Sequence, residues 1–342
     1  LSSYKKIIIC AGGTGGHVIP AMVVIDELQQ QGHEVTFITD QRGYRYSNNY
    51  PLQDTLLLNI SKSPQGILAT VIFTLQILWA TFNCLLFFIK FKPDVVMGFG
   101  GYPSLPAMMA AALLRIPLYI HEQNAVLGRT NKLFKKLAKG IFTSFNDTKG
   151  IASSHNVGMP IRLNNQQQGL YFNGQQPFVI TIFGGSQGAQ CLGKLIPQAL
   201  KLLPALMQSR LKVIHQVRLE ELTPVQQLYP ANINVRIQHY FDDMDQILGK
   251  SHLVIARSGA STLFETIACL VPVIYIPLPS AMDNHQYLNA QSYRQLGANW
   301  IMTQSLVSPE KIALFIEEAM TCPHRLLITQ MQLAACQKVN VA

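Results

Sequence analysis

Short apolar runs recur along this chain, each followed by a stretch in which apolar residues return at helical spacing. Residues 6–11, 34–39, 94–98, 117–121 and 140–144 in the first half read as strands, as do 178–183, 212–217, 234–238, 253–256, 272–276 and 299–302 in the second. Strands alternating with helices in this way predict parallel sheets covered on both faces. A chain of 342 residues exceeds one ordinary core and suits two such α/β domains. Val157-Gly158-Met159-Pro160-Ile161-Arg162 leads into the polar run Asn164-Asn165-Gln166-Gln167-Gln168-Gly169, which has linker character and places a hinge near residue 160.

One segment breaks the rhythm. From Gln65 to Ile89 there is no charged residue; Lys62 stands before it and Lys90 and Lys92 after. It is long enough to cross a bilayer. Spanning would put the strands on either side of it, which belong to one sheet, on opposite sides of the membrane. That leaves a core helix or a helix lying in the membrane surface. Ile72, Leu75, Trp79, Phe82, Leu86 and Ile89 fall at helical spacing and are expected to face the core, whereas Ile67, Val71, Leu78, Leu85 and Phe88 widen the apolar stripe beyond what one sheet face needs. The flanking lysines favour a peripheral membrane contact.

Composition narrows the field only partly. Charged residues make up 13% and hydrophobic ones 49%, which supports a large buried core and excludes disorder. A net charge of +9 implies anionic partners such as phosphates, anionic lipid or nucleic acid, without choosing among them. Six cysteines, at 10, 84, 191, 269, 322 and 336, show no CxxC, so free thiols in a reducing cytosol are expected. A short polar segment runs straight into Lys5-Lys6-Ile7, and neither a signal peptide nor a transit peptide is expected.

The chemistry gathers at strand-to-helix turns. Gly12-Gly13-Thr14-Gly15-Gly16-His17 follows the first strand, and Gly184-Gly185-Ser186-Gln187-Gly188 the strand ending at Phe183. Such turns let backbone N–H groups and a helix start face an anion. With Asp40 at the end of the second strand, the first turn also resembles a dinucleotide fingerprint, although Val18 stands where the third glycine belongs. No GK[ST] follows either turn, which argues against a Walker ATPase. Asp243-Met244-Asp245 reads either as a metal-binding DxD or, preferably, as the start of a helix. Arg257-Ser258-Gly259-Ala260 opens another helix, with Glu265 placed either to accept two ribose hydroxyls or simply to suit the helix dipole. Asp283-Asn284-His285-Gln286 marks a further junction. All lie at the carboxyl ends of strands, where open α/β sheets bind ligands.

Taken together, these runs, with Gly100-Gly101-Tyr102-Pro103-Ser104 and His121-Glu122-Gln123-Asn124, resemble the MurG family of bacterial N-acetylglucosaminyltransferases, in the family's order from residue 12 to residue 286. The resemblance implies a GT-B glycosyltransferase fold, two Rossmann-like domains facing across a cleft: 1–160 for acceptor and membrane, 161–322 for the donor, and a helix at about 323–342 returning to the first. It implies UDP-GlcNAc as donor, lipid I as acceptor, lipid II as product, and a peripheral place on the cytoplasmic face of the inner membrane through about 65–92. No cofactor, metal or nucleic acid is implied. By motif, Ser186 and Gln187 meet the diphosphate, Arg162 and Phe241 flank the nucleotide, and Ala260, Ser261, Thr262 and Leu263 touch the diphosphate side. Glu265 takes the ribose, and His285 and Gln286 the GlcNAc hydroxyls. Thr14, Gly15, Gly16, Tyr102, Asn124 and Asn131 line the acceptor side. Some positions depart from the family: Pro103 and Leu105 where small residues are usual, Met159 for asparagine, Gln190 for a basic residue and Leu270 for glycine.

Inverting transfer needs a base for the attacking 4-hydroxyl and stabilisation of the UDP leaving group. His17, at a helix start that disfavours imidazolium, is one candidate base, or else a group that only positions the acceptor. Glu122 is the other. A nicotinamide oxidoreductase resting on Gly13, Gly15 and Asp40, and a non-catalytic lipid-binding module resting on residues 65–92, are the competing expectations.

Overall fold

The computed structural model describes residues 4–47, 50, 52, 54–60, 66–161, 170–185, 190–294 and 299–340, the last five as backbone only. The chain divides into two compact units, Leu1–Arg162 and Leu163–Val341.

The first unit runs β1 (Lys6–Cys10), α1 (Gly15–Gln30), β2 (Glu34–Asp40), α2 (Gln41–Tyr44), β3 (Asp54–Leu58), α3 (Ile67–Phe91), β4 (Val95–Gly98), α4 (Leu105–Leu113), β5 (Leu118–Glu122), α5 (Arg129–Phe134), β6 (Gly140–Thr143) and β7 (His155–Asn156). Its strands form one parallel sheet in the order β3-β2-β1-β4-β5-β6-β7. Both faces are covered, which is why β1 is apolar from Ile7 to Cys10: Ile7 and Ile9 pack with Val18, Met22 and Ile25 of α1, while Ile8 and Cys10 pack on the side of α3 and α4. β3 and β7, the edge strands of this sheet, are not among the runs read from the sequence: β3 is mostly exposed or half-buried, and β7 is two exposed residues.

The second unit runs β8 (Phe178–Phe183), α6 (Gln190–Lys201), α7 (Ala205–Gln208), β9 (Leu211–Gln216), α8 (Leu222–Gln226), β10 (Asn234–Gln238), α9 (Met244–Gly249), β11 (Leu253–Ala256), α10 (Ala260–Ala268), β12 (Val273–Tyr275), α11 (His285–Arg294), β13 (Trp300–Ile301), α12 (Pro309–Thr321) and α13 (His324–Asn340). Its parallel sheet has the order β10-β9-β8-β11-β12-β13. Leu326 of α13 belongs to the core of this unit, and α13 packs on α10.

The apolar helix is α3, and the stripe expected to face the core is exposed. The buried residues are Ile77, Ala80, Thr81, Cys84 and Phe88, whereas Ile72, Leu75, Trp79, Phe82, Leu86 and Ile89 are exposed. The reason lies in its neighbour. α4 offers Ala107, Met108, Ala110 and Ala111 to the shared core, and the small side chains Ala80, Thr81 and Cys84 let the two helices approach closely. On a helix apolar all round, periodicity cannot choose a face; the run of small residues was the usable signal. α3 joins β3 to β4, two strands of one parallel sheet, so it is a crossover helix over a sheet face and not a membrane span.

Candidate active site

In each unit the strand order reverses beside the first strand, between β1 and β4 and between β8 and β11. Loops leaving adjacent strands at such a reversal diverge to opposite faces and open a crevice. Most of the described candidate residues lie at or beside these two places; Phe241 instead follows the edge strand β10.

In the first unit, Gly13 (φ 81°) turns the chain out of β1 and Thr14 occupies the N-cap of α1 without a side-chain cap. Gly15 and Gly16 are the first two helical positions, whose N–H groups have no acceptor within the helix. The turn after β4 interlocks with this one. A Cβ on Gly101 would lie 2.3 Å from the Gly12 carbonyl oxygen, and one on Gly12 would lie 2.4 Å from Pro103 Cγ, so neither position accepts a side chain. Asp40 fastens the assembly. Its Oδ1 accepts from Gly43 N at 2.8 Å and Gly13 N at 3.4 Å, and its Oδ2 accepts from the Tyr102 hydroxyl at 2.6 Å. Burial, then the bond to Asp40, pushes the Tyr102 phenol up to about 12, so it remains a donor. An Asp40 so engaged is not presented to a ribose, which removes the basis of the dinucleotide reading.

The turn after β5 completes this half. Glu122 is fully buried. Its Oε1 accepts from Asn124 N at 3.1 Å and Asn124 Nδ2 at 3.3 Å, and its Oε2 from Gly128 N at 2.9 Å and Asn131 Nδ2 at 2.8 Å. Such a carboxylate is a buried frame for the loop from β5 to α5. His17 Nδ1 lies 2.9 Å from Gln123 Oε1, and a Cβ on Gly100 or Gly101 would stand 3.4 Å from the ring's Cε1 or Cδ2. Thr14, Gly15, Gly16, His17, Tyr102, Glu122, Asn124 and Asn131 therefore sit on three neighbouring turns of one sheet.

In the second unit, Arg162, Ser186 and Gln187 lie outside the described residues. α10 starts immediately after β11. Ala260, Thr262 and Leu263 are buried, and the hydroxyls of Ser258 and Ser261 at its start are buried without a hydrogen-bond partner among the described residues. Glu265 falls in the second turn of α10, past the reach of the helix dipole. Burial, with Asp245 adding to it, pushes its carboxyl up to about 7. Arg257 is buried and donates to the carbonyls of Ile276 and Pro277 and to Gln304, fixing the loop after β12. In that loop Asp283 and Asn284 take the left-handed conformation (φ 52° and 53°), Gln286 Oε1 accepts from Leu278 N at 2.9 Å, and His285 Nδ1 lies 2.8 Å from the Met282 carbonyl. The Phe241 ring is packed with Ile214 and Ile247 beneath the Arg236 guanidinium, and the residue is buried. Asp243 holds the N-cap position of α9 but makes no side-chain cap bond; its carboxylate pairs with Arg236 at 4.0 Å, and Asp245 stands in the first turn. Among the described residues no three His, Cys, Asp or Glu side chains converge as a metal site would require.

Residues 7–143 match the glycosyltransferase family 28 N-terminal domain, and residues 179–341 match its C-terminal domain. The crystal structure of Acinetobacter baumannii MurG superposes with a TM-score of 0.78 at 31% identity, covering 96% of this chain and 94% of that one. The chain belongs to the MurG family. A Rhodospirillum rubrum relative, named UDP-N-acetylglucosamine–N-acetylmuramyl-(pentapeptide) pyrophosphoryl-undecaprenol N-acetylglucosamine transferase, is 37% identical over 93% of this chain and 84% of its own length. A Rickettsia bellii relative of the same name is 37% identical over 98% and 96%. Phytolacca americana UGT2, at 15% identity and a TM-score of 0.72, shares the fold alone. The fold class is that of the GT-B glycosyltransferases, and the chain is a glycosyltransferase of the MurG family.

The departures from the MurG pattern now have physical content. Leu270 has φ 51° and closes α10: Leu270 N bonds Ile267 O and Val271 N bonds Thr266 O, the Schellman arrangement whose left-handed position glycine normally fills. Met159 is buried and receives the Ser144 hydroxyl on its sulfur at 3.2 Å. Sequence reasoning gave no role to Gln123, His121, Ser258 or Asn289. Gln123 and His121 lay inside a quoted motif, but only their folded contacts reveal what they do. Asn289 is buried and donates to the Ser258 carbonyl, a contact across 31 residues that no local pattern announces.

Proposed function

We propose that this chain transfers GlcNAc from UDP-GlcNAc to the 4-hydroxyl of MurNAc in undecaprenyl-diphosphate-MurNAc-pentapeptide, lipid I, with inversion, giving lipid II. The observation that carries the donor half is the pair of buried hydroxyls, Ser258 and Ser261, at the N-terminal end of α10, which have no hydrogen-bond partner among the described residues. Buried hydroxyls are normally bonded, and a helix start of nine residues that lacks acidic neighbours in its first turn suits a diphosphate. Glu265 then accepts the ribose hydroxyls, and Gln286, its oxygen engaged by Leu278 N, offers its amide group to a GlcNAc hydroxyl. Arg162, Ser186 and Gln187 join the donor set by motif.

On the acceptor side, the N–H groups of Gly15 and Gly16 at the start of α1 receive the lipid-linked diphosphate, with Thr14, Tyr102, Asn124 and Asn131 around it. His17 takes the proton from the 4-hydroxyl as its oxygen attacks the anomeric carbon. The bond to UDP breaks on the opposite side, and its charge is met by the α10 helix start without a metal. Glu122 serves by holding Asn124 and Asn131, since both of its oxygens are already occupied. α3 supports a peripheral contact with the cytoplasmic face of the membrane: Leu75, Trp79, Phe82 and Leu86 are exposed, and each large apolar side chain inserted contributes about 1.5–3 kcal/mol.

Thermal unfolding tests the donor assignment. UDP is expected to raise the melting temperature and NAD to leave it unchanged, with Glu265→Ala abolishing the UDP effect. Equal protection by NAD, or protection indifferent to Glu265→Ala, would refute it.

A further inference from the structure

We infer that Gln123 and His121 form a relay that fixes the ring tautomer of His17, with the proton on Nδ1 and the lone pair on Nε2. This rests on the reading of His17 as the base, but its geometry stands alone. A backbone carbonyl can only accept, and two of them set the direction of the chain. His121 Nε2 lies 3.4 Å from the Gly158 carbonyl, so the proton of its neutral ring sits on Nε2 and its Nδ1 accepts. The Gln123 Nε2 group donates one hydrogen to that Nδ1 at 3.0 Å and the other to the His121 carbonyl at 3.0 Å. Both hydrogens of the amide are spent inward, which leaves Oε1 facing His17 Nδ1 at 2.9 Å. An amide oxygen is an acceptor only, so Nδ1 of His17 must carry the proton and Nε2 is left able to accept one.

The surroundings hold this arrangement in place. Gln123 and His121 are buried, and the His121 ring stacks on Phe99 with centroids 5.1 Å apart. Burial keeps His121 neutral, its pKa lowered to about 4, so the polarity of the relay does not reverse near neutral pH. Of the other groups around His17, Glu122 on β5 is turned into its own four donors, and the Gly100-Gly101 turn along the far edge of the ring carries no titratable side chain. Gln123 touches His17 and not the reacting atoms; it is a positioning residue.

Histidine-selective ¹⁵N NMR of the full chain reads the tautomer directly, with His17→Gln assigning the signal. The wild-type ring is expected to carry its proton on Nδ1. Gln123→Met removes the acceptor; the ring should redistribute towards the Nε2–H form, and kcat should fall about 10²-fold with the KM for UDP-GlcNAc within about twofold. Gln123→Glu keeps an acceptor towards His17, so Nδ1–H should persist in that variant. An Nε2–H ring in the wild type, a tautomer unchanged in Gln123→Met, or an Nδ1–H ring lost in Gln123→Glu would overturn the relay. A switched tautomer with undiminished turnover would uphold the relay and overturn His17 as the base.

Discussion

Glu122→Gln separates a chemical role from a framing one. The carboxylate has two acceptor oxygens, each receiving two N–H donors, and the side chain is fully buried. Glutamine has one oxygen. Placed towards Gly128 N and Asn131 Nδ2, the shorter pair, it leaves its own NH₂ against Asn124 N–H and Nδ2, donor facing donor. The Asn124 side chain can rotate away, but the backbone N–H cannot, and an unsatisfied buried donor costs about 1–3 kcal/mol. The two bonds that survive lose their charge assistance, roughly a further 1 kcal/mol together. A net local destabilisation of about 3 kcal/mol is expected. Amide hydrogen exchange across residues 118–131 measures it: the Asn124 and Gly128 amides should lose protection by about two orders of magnitude, and turnover should fall with the integrity of the loop. Exchange like the wild type's in a variant whose turnover has collapsed would refute the framing role and make Glu122 the base.

Other expectations follow from particular contacts. Leu270→Gly relieves a left-handed leucine, worth about 1–2 kcal/mol, against a glycine entropy cost of about 0.5–1, so urea unfolding should show a gain of about 0.5–1 kcal/mol; a loss would mean that the side chain's packing outweighs its backbone strain. Glu265, raised to about 7 from 4.5, binds a proton in the folded chain between those values that the unfolded chain does not bind; its contribution therefore falls as pH rises from 4.5 to 7 and stays lost above. The melting temperature of Glu265→Gln relative to wild type should accordingly rise from pH 5 to pH 8, and a flat difference would contradict that shift. Leu75→Ser with Trp79→Ser should release the protein from anionic vesicles while leaving its melting temperature unchanged, whereas Ala80→Leu, at the contact with α4, should destabilise the first unit by about 1–3 kcal/mol. Turnover should survive EDTA; a strict loss restored by Mg²⁺ would bring Asp243 and Asp245 back into the chemistry.

What was legible in the sequence was whatever had a local signature. Strands buried on both faces, such as β1 and β8, announce themselves as apolar runs, and the glycine turns after them mark the ligand-facing ends of the sheets. β3 and β7, mostly exposed and in β7 only two residues long, do not, although the edge strands β10 and β13 do. The faces of α3 were misread because burial there was decided by its partner α4, which a single helix's pattern does not contain. Residue types at the site were legible; their employment was not. Asp40 read as a ribose ligand because a carboxylate stood at the right distance along the chain, but Gly13, Gly43 and Tyr102 use it instead. Gln123 was visible in its motif but idle until the fold brought His17 to it across 106 residues.

Single-turnover transfer of labelled GlcNAc from UDP-GlcNAc to a soluble lipid I analogue, compared between wild type and His17→Ala alongside the Kd for UDP, tests the central claim most directly. The account predicts product in the wild type, a loss of about 10²–10⁴-fold in the rate of the chemical step with His17→Ala, and an unchanged Kd. No transfer by the wild type, an undiminished rate in the variant, or an equal loss of rate and UDP affinity would contradict it.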